Sequence, residues 1–235
     1  MNSFSHFGQE HIITLAVILL LIAVGLIISS KLSEKNAQIL IRILSVTVLL
    51  GEALQDILLV RDGGNIMEFL PLHLCNLGIF VNLAASFTKG RVSSFFMEIS
   101  VILIMPGAIG ALLFPDWNYR PFWSYLPILC FLTHALLVFI PLFFLVRKKA
   151  RITFRHFFYP YLFLLIVTPP IYLLDRKMDL DYMYLIYPPA KTPLEWIWNL
   201  SDGKLYIAGL AVLVTLILLL EYSVYGIFGR ISGRK

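Results

Sequence analysis

Seven apolar runs leave this chain little choice of architecture. They lie near residues 12–29, 37–60, 69–88, 94–114, 122–146, 157–174 and 205–225. Each is roughly 18 residues or more, enough to cross about 30 Å of hydrocarbon at about 1.5 Å per residue. Hydrophobic residues make up 59% of the chain and charged residues 14%, with a mean hydropathy of +0.84, far from the composition of a soluble domain. The reading is an all-α membrane protein, a bundle of seven transmembrane helices in a single integral membrane domain spanning residues 1–235. The first run reads as a retained helix, because no Lys or Arg precedes it and no clear small-x-small cleavage site follows.

Charge asymmetry then sets an orientation. In a seven-span arrangement Lys31, Lys35, Lys89, Arg91, the basic group between 147 and 155, Arg230, Arg234 and Lys235 share one side. The other side holds Glu10, Asp62, Glu68, Asp116, Asp175, Asp179, Asp181, Glu195 and Asp202. The positive-inside rule puts the N-terminus outside and the C-terminus inside. The net charge of +5 is then mainly an insertion signal that also suits anionic lipid. No basic stretch is interleaved with aromatics in a soluble segment, so nothing calls for nucleic acid. The outside segment 175–204 carries Tyr182, Tyr184, Tyr187, Trp196 and Trp198 with Pro188, Pro189 and Pro193. It is expected in the membrane interface, as an aromatic belt or as a cap on whatever opens to the outer leaflet.

With topology assumed, the intramembrane polar residues fall into one layer. The second helix carries Glu52, Gln55 and Asp56 in its outer half, with Glu52 and Asp56 at i and i+4 on one face. The third carries His73, Cys75 and Asn76 in its first two turns, and the fifth places His134 roughly 16 Å below its outer end. Glu98 and Glu221 are expected near inner helix ends, reaching the headgroups. An ionisable group facing lipid costs at least about 2.5–3.5 kcal/mol, so the cluster implies an internal polar cavity open to the outside. One reading is a helix-joining polar network in a non-enzymatic transporter, receptor or structural protein; the other is a functional site, where titratable groups gather. His73, His134, Glu52 and Asp56 also form a ligand set that would suit zinc or another divalent ion, as in a membrane metalloenzyme. On a regular helix His73 would sit about 200° around the axis from Cys75, pairing with Glu52 or Asp56 instead. Cys130 reads as a small packing residue, and a Cys75–Cys130 disulfide as a minor alternative. No cofactor motif is present.

Three blocks carry a family resemblance. They are Leu70-Pro71-Leu72-His73-Leu74-Cys75; Leu112-Leu113-Phe114-Pro115-Asp116 with Phe131-Leu132-Thr133-His134; and Asp181-Tyr182-Met183-Tyr184-Leu185 with Pro188 and Leu194-Glu195-Trp196. In order and combination they resemble the YwaF-like family of bacterial integral membrane proteins, itself similar to the transmembrane protein 164 acyltransferases. Asp181 stands where that pattern has Asn. The resemblance implies a multi-pass protein of the bacterial plasma membrane that acts on phospholipids or lysolipids as acyltransferase or acyl hydrolase, and it names no protein partner. It implies Cys75 as nucleophile and His134 as base. Asn76 or His73 would serve as oxyanion donor, with Glu52 and Asp56 orienting. Imidazole is suited to take the proton of a thiol whose pKa is about 8.5, while desolvation opposes the thiolate.

Overall fold

A peptide group in hydrocarbon finds no water to bond, so apolar spans must close their hydrogen bonds within themselves. Every regular element among the described residues is accordingly helical. The structure is a computed structural model that describes residues 5–117 and 121–231; Arg234 and Lys235 of the expected basic side lie outside the described residues. In chain order the helices are α1 (Gln9–Ser30), α2 (Glu34–Arg61), α3 (Leu74–Phe87), α4 (Gly90–Ile99), α5 (Met105–Leu113), α6 (Tyr125–Val146), α7 (Tyr159–Met178), α8 (Pro193–Asn199) and α9 (Tyr206–Ile231). A π-helical stretch, Ser100–Ile104, joins α4 to α5 without a break.

Six helical segments are long and apolar enough to cross a membrane: Gln9–Ser30, Glu34–Arg61, Gly90–Leu113, Tyr125–Val146, Phe154–Met178 and Tyr206–Ile227. The run expected to span at 69–88 differs. Its helix, α3, has 14 residues, about 21 Å of rise against about 30 Å of hydrocarbon. Pro71 cannot donate a backbone hydrogen bond, Leu72 N bonds back to Leu70 O at 2.7 Å, and His73 is extended, at φ −64° and ψ 153°. His73 is therefore the residue before the helix and not part of it. The 200° rotation expected between His73 and Cys75 on a regular helix does not apply.

The chain divides into two compact units, Met1–Ala150 and Arg151–Lys235. In the first, α3 packs on α2 and α4, while α6 packs on α1, α2 and α5. Ile41, Ile79, Ile102, Ile104, Leu137, Ile140 and Phe143 are fully buried at these contacts. At one end Arg147 donates to the last carbonyl of α1 at Ser30, to Leu32 O in the connector beyond it and to Glu34, which Lys149 also meets at 2.6 Å. Orphan helix carbonyls need such donors. Gln38 and Arg42 donate to Ser86 O, and the Ser45 and Ser86 hydroxyls share a 2.9 Å hydrogen bond. Glu98, expected to reach the headgroups, is instead buried at 2% exposure, because it precedes the π-helical stretch that packs inside the unit. There Ser100 donates to Asn82 Oδ1.

In the second unit, the aromatic segment folds on itself. Asp181, the departure from the family pattern, accepts from Ile186 N at 2.9 Å and Tyr187 N at 3.0 Å, so a carboxylate closes this turn without an amide. Tyr206 donates to Tyr184 O, Tyr161 donates to Thr215 Oγ1, and Trp198 lies between the rings of Tyr187 and Tyr206. Gly203 (φ +78°) lets the chain pass over Trp198, where a Cβ would come within 2.5 Å of the indole. Trp196 and Leu200 remain exposed.

Gly78 sets how closely α3 meets the π-helical stretch, since a Cβ there would overlap Ile104 Cγ2 and Ile104 is fully buried. Gly78→Ala is expected to cost about 1–3 kcal/mol by overpacking, seen as a lower melting temperature in detergent. An unchanged melting curve would refute this contact.

Candidate functional site

The polar residues gather at the end of the first unit opposite the Arg147–Glu34 clasp. Here α2 finishes, α3 and α6 begin, and the Leu112–Trp117 connector leaves α5. Two histidines near the start of the chain fasten that connector. His11 donates from Nε2 to Leu112 O at 2.8 Å and accepts from Phe7 N on Nδ1 at 3.0 Å. His6 Nε2 donates to Pro115 O at 2.9 Å. His11 is 1% exposed and has both ring nitrogens satisfied. Its position at the head of an otherwise lipid-facing helix gave no sequence signal for this role. Tyr125 closes the same end by donating to Asp62 Oδ2 at 2.7 Å.

Within that frame α2 offers Glu52, Gln55 and Asp56, all half-buried. Asn76, in the first turn of α3, donates from Nδ2 to Glu52 Oε1. Cys130 donates its thiol proton to Gln55 Oε1 at 3.2 Å, so the sulfur read as packing belongs to a polar link between α6 and α2. Both cysteines are free thiols, which removes the disulfide. Glu52 accepts from Asn76 and not from His73; the carboxylate acting on His73 is Asp116. Burial pushes the His73 imidazole below its usual pKa, against the pull of Asp116.

His134 occupies the next turn of α6 after Cys130. Its Nδ1 lies 2.7 Å from Cys130 O. A carbonyl only accepts, so Nδ1 carries the proton and Nε2 of the neutral ring keeps its lone pair. The imidazole stacks on Trp117, with centroids 4.9 Å and planes 28° apart, and Phe131 meets the same indole edge-on. Trp117 is buried with its Nε1–H unpartnered among the described residues, an arrangement that costs roughly 1–3 kcal/mol. Neither Trp117 nor Asp116 was singled out as a site residue from the sequence, where only the Phe114-Pro115-Asp116 block marks the connector.

Cys75 lies one residue into α3, whose preceding residue His73 makes no side-chain cap. Glu52 and Asp116 both act on it electrostatically. Among the described residues no hydrogen bond joins Cys75 to His134, although α3 and α6 pack directly; catalytic hydrogen bonds are often long before substrate binds. No three His, Cys, Asp or Glu side chains among the described residues assemble as a metal site, so His73, His134, Glu52 and Asp56 do not form the cage that the alternative requires. Beside the His134 face of α6 runs an apolar groove of about 570 Å³, bounded by Thr14, Gly25, Leu40, Phe131, Ala135 and Phe139 among others. Helical rotation of about 100° per residue puts Phe131 about 60° and Ala135 about 100° round the axis from His134, so the groove flanks the face bearing Cys130 and His134.

A thiol reagent is expected to modify Cys75 well before Cys130, because Cys130 is buried and bonded to Gln55 while Cys75 is half-buried. Intact mass of Cys75→Ala and Cys130→Ala after maleimide treatment reads this directly. Equal labelling of the two variants, or labelling carried by Cys130, contradicts it.

The model of the TMEM164 family matches residues 6–222. No curated protein and no solved structure matches the chain.

Proposed function

This chain belongs to the TMEM164 family of helical membrane proteins, and on that premise we propose that it is a membrane-embedded lipid acyltransferase or acyl hydrolase with Cys75 as nucleophile and His134 as base. One observation carries the reading. The Nδ1–H of His134 is spent on the Cys130 carbonyl, so the nitrogen left to accept a proton is Nε2, on a helix packed against the one that bears Cys75. Fixing the tautomer through the other ring nitrogen is how a base is held ready.

Thiolate formation in a desolvated site needs offsetting interactions, and the carboxylates of Glu52 and Asp116 add negative charge nearby. Proton transfer to His134 as sulfur attacks avoids a free thiolate between them. The first turn of α3 helps, since its leading N–H groups form the positive end of the helix dipole. The surroundings support a lipid as substrate. The groove beside α6 runs along α1 from Thr14 to Ile28, about 21 Å of helix, and a single acyl chain fills one leaflet, half of about 30 Å. A phospholipid or lysolipid could lay its chain there with the ester near the polar end. The acyl group would pass from glycerolipid to Cys75 and then to a lysolipid or to water. The reading takes the N-terminus as outside, as the charge asymmetry of the loops suggests, which would make this an outer-leaflet chemistry, and it takes the bacterial plasma membrane from the resemblance.

The non-enzymatic reading draws on two links, Asn76 to Glu52 and Cys130 to Gln55, which would join α2 to α3 and α6 in any helical bundle. Lipidomics of cells expressing the wild type beside Cys75→Ser and His134→Ala separates the two. The enzyme reading expects an altered acyl composition that Cys75→Ser abolishes and His134→Ala reduces by roughly 10²–10⁴-fold in rate, with both variants folded by thermal melting. Lipid profiles identical across all three leave the polar cluster as a structural network.

A further inference from the structure

We propose that the indole N–H of Trp117 is the donor that receives the ester carbonyl oxygen of the lipid as it becomes an oxyanion; this deepens, and rests on, the Cys75–His134 reading. Native proteins seldom leave a buried donor without an acceptor unless a ligand or catalytic role supplies one. Trp117 is 6% exposed, and its Nε1 has no hydrogen-bond partner among the described residues. Its ring is stacked on the imidazole of His134, so the orphan donor stands beside the base and not in remote packing.

The position is held firmly. Phe131 meets the indole edge-on at 5.6 Å and 90°, while His6 and His11 pin the connector at Pro115 and Leu112. A donor that is fixed and dehydrated before reaction stabilises developing charge without reorganising. Nearby side-chain donors are engaged, Asn76 Nδ2 with Glu52, His134 Nδ1 with Cys130 O and His11 Nε2 with Leu112 O, while the leading backbone N–H groups of α3 belong to the turn that carries Cys75 itself. Asn76, expected from the resemblance as an oxyanion donor, already has an anionic partner.

Cys75 Sγ bonds to the ester carbonyl carbon while its proton moves to His134 Nε2, and the carbonyl π pair moves onto oxygen, which accepts the Trp117 N–H. Collapse restores the carbonyl and breaks the ester C–O bond. His134 returns its proton to the departing alkoxide, leaving a thioester on Cys75. A lysolipid hydroxyl, or water, reverses the sequence, with Trp117 holding the second oxyanion.

The test compares two rates on the purified full chain in nanodiscs. One is acylation of Cys75 by p-nitrophenyl octanoate, read as nitrophenolate release and as acyl mass on Cys75. The other is alkylation of Cys75 by iodoacetamide, a displacement at carbon that forms no oxyanion. Trp117→Phe keeps an aromatic ring against His134 and removes the N–H. As a second variant, benzothienylalanine installed at position 117 by nonsense suppression keeps the bicyclic shape and replaces only the N–H by sulfur. Acylation is expected to slow roughly hundredfold in both, with alkylation and melting temperature nearly unchanged. If acylation is unchanged in the sulfur analogue, or if both rates fall together, Trp117 is not the oxyanion donor. If the wild type itself shows no acylation at Cys75, the nucleophile reading falls and takes this inference with it.

Discussion

Hydrocarbon gives a polar group no partner, and the first unit is organised around that constraint. Apart from the interior pair Ser100–Asn82 and the buried Glu98, many of its polar side chains collect at two ends and bond there across helices. At one end Arg147 collects the last carbonyl of α1 and that of Leu32 beyond it and pairs with Glu34. At the other, two histidines, an amide, a thiol and a phenol each find an oxygen or nitrogen on a different helix or connector. Among the described residues of this unit the buried side-chain atoms without a hydrogen-bond partner are Asn82 Nδ2 and the Trp117 indole Nε1.

The short α3 makes the site. A helix running through residues 69–88 would have carried His73 and Cys75 round opposite sides of one cylinder. Pro71 and the extended His73 instead start the helix at Leu74. Cys75 and Asn76 thereby enter the first turn, where leading N–H groups lack intrahelical partners. Close packing behind them is secured by Gly78 against Ile104, in a stretch widened to a π-helix. Such local departures from α-helical regularity are frequent at functional sites.

α6 works on two faces. Cys130 and His134 share one with Leu137, while Phe131, Ala135 and Phe139 line the apolar groove on the face next to it. A chemistry on lipid esters needs a dry wall for the chain and a polar wall for the ester, and one helix supplies both at the same depth. Gly25 admits Phe139 into the groove floor, since a Cβ there would come within 2.8 Å of the ring.

The sequence by itself determined the helical membrane class and the positions of most spans, because hydropathy over some twenty residues is a property of composition and spacing. It misjudged the third run, where apolar composition continues through Pro71 while backbone geometry does not. It also missed the tie from Cys130 to Gln55, the anchoring by His6 and His11, and Trp117. Those depend on which helix faces which, and hydrogen bonds between residues more than a hundred positions apart, such as His11 to Leu112, leave no periodicity to read. Only tertiary structure decided which side-chain donors are spent and that the buried Trp117 indole N–H, beside the base, is left without a partner among the described residues, because satisfaction of a polar group is a property of its neighbours and not of its own residue type.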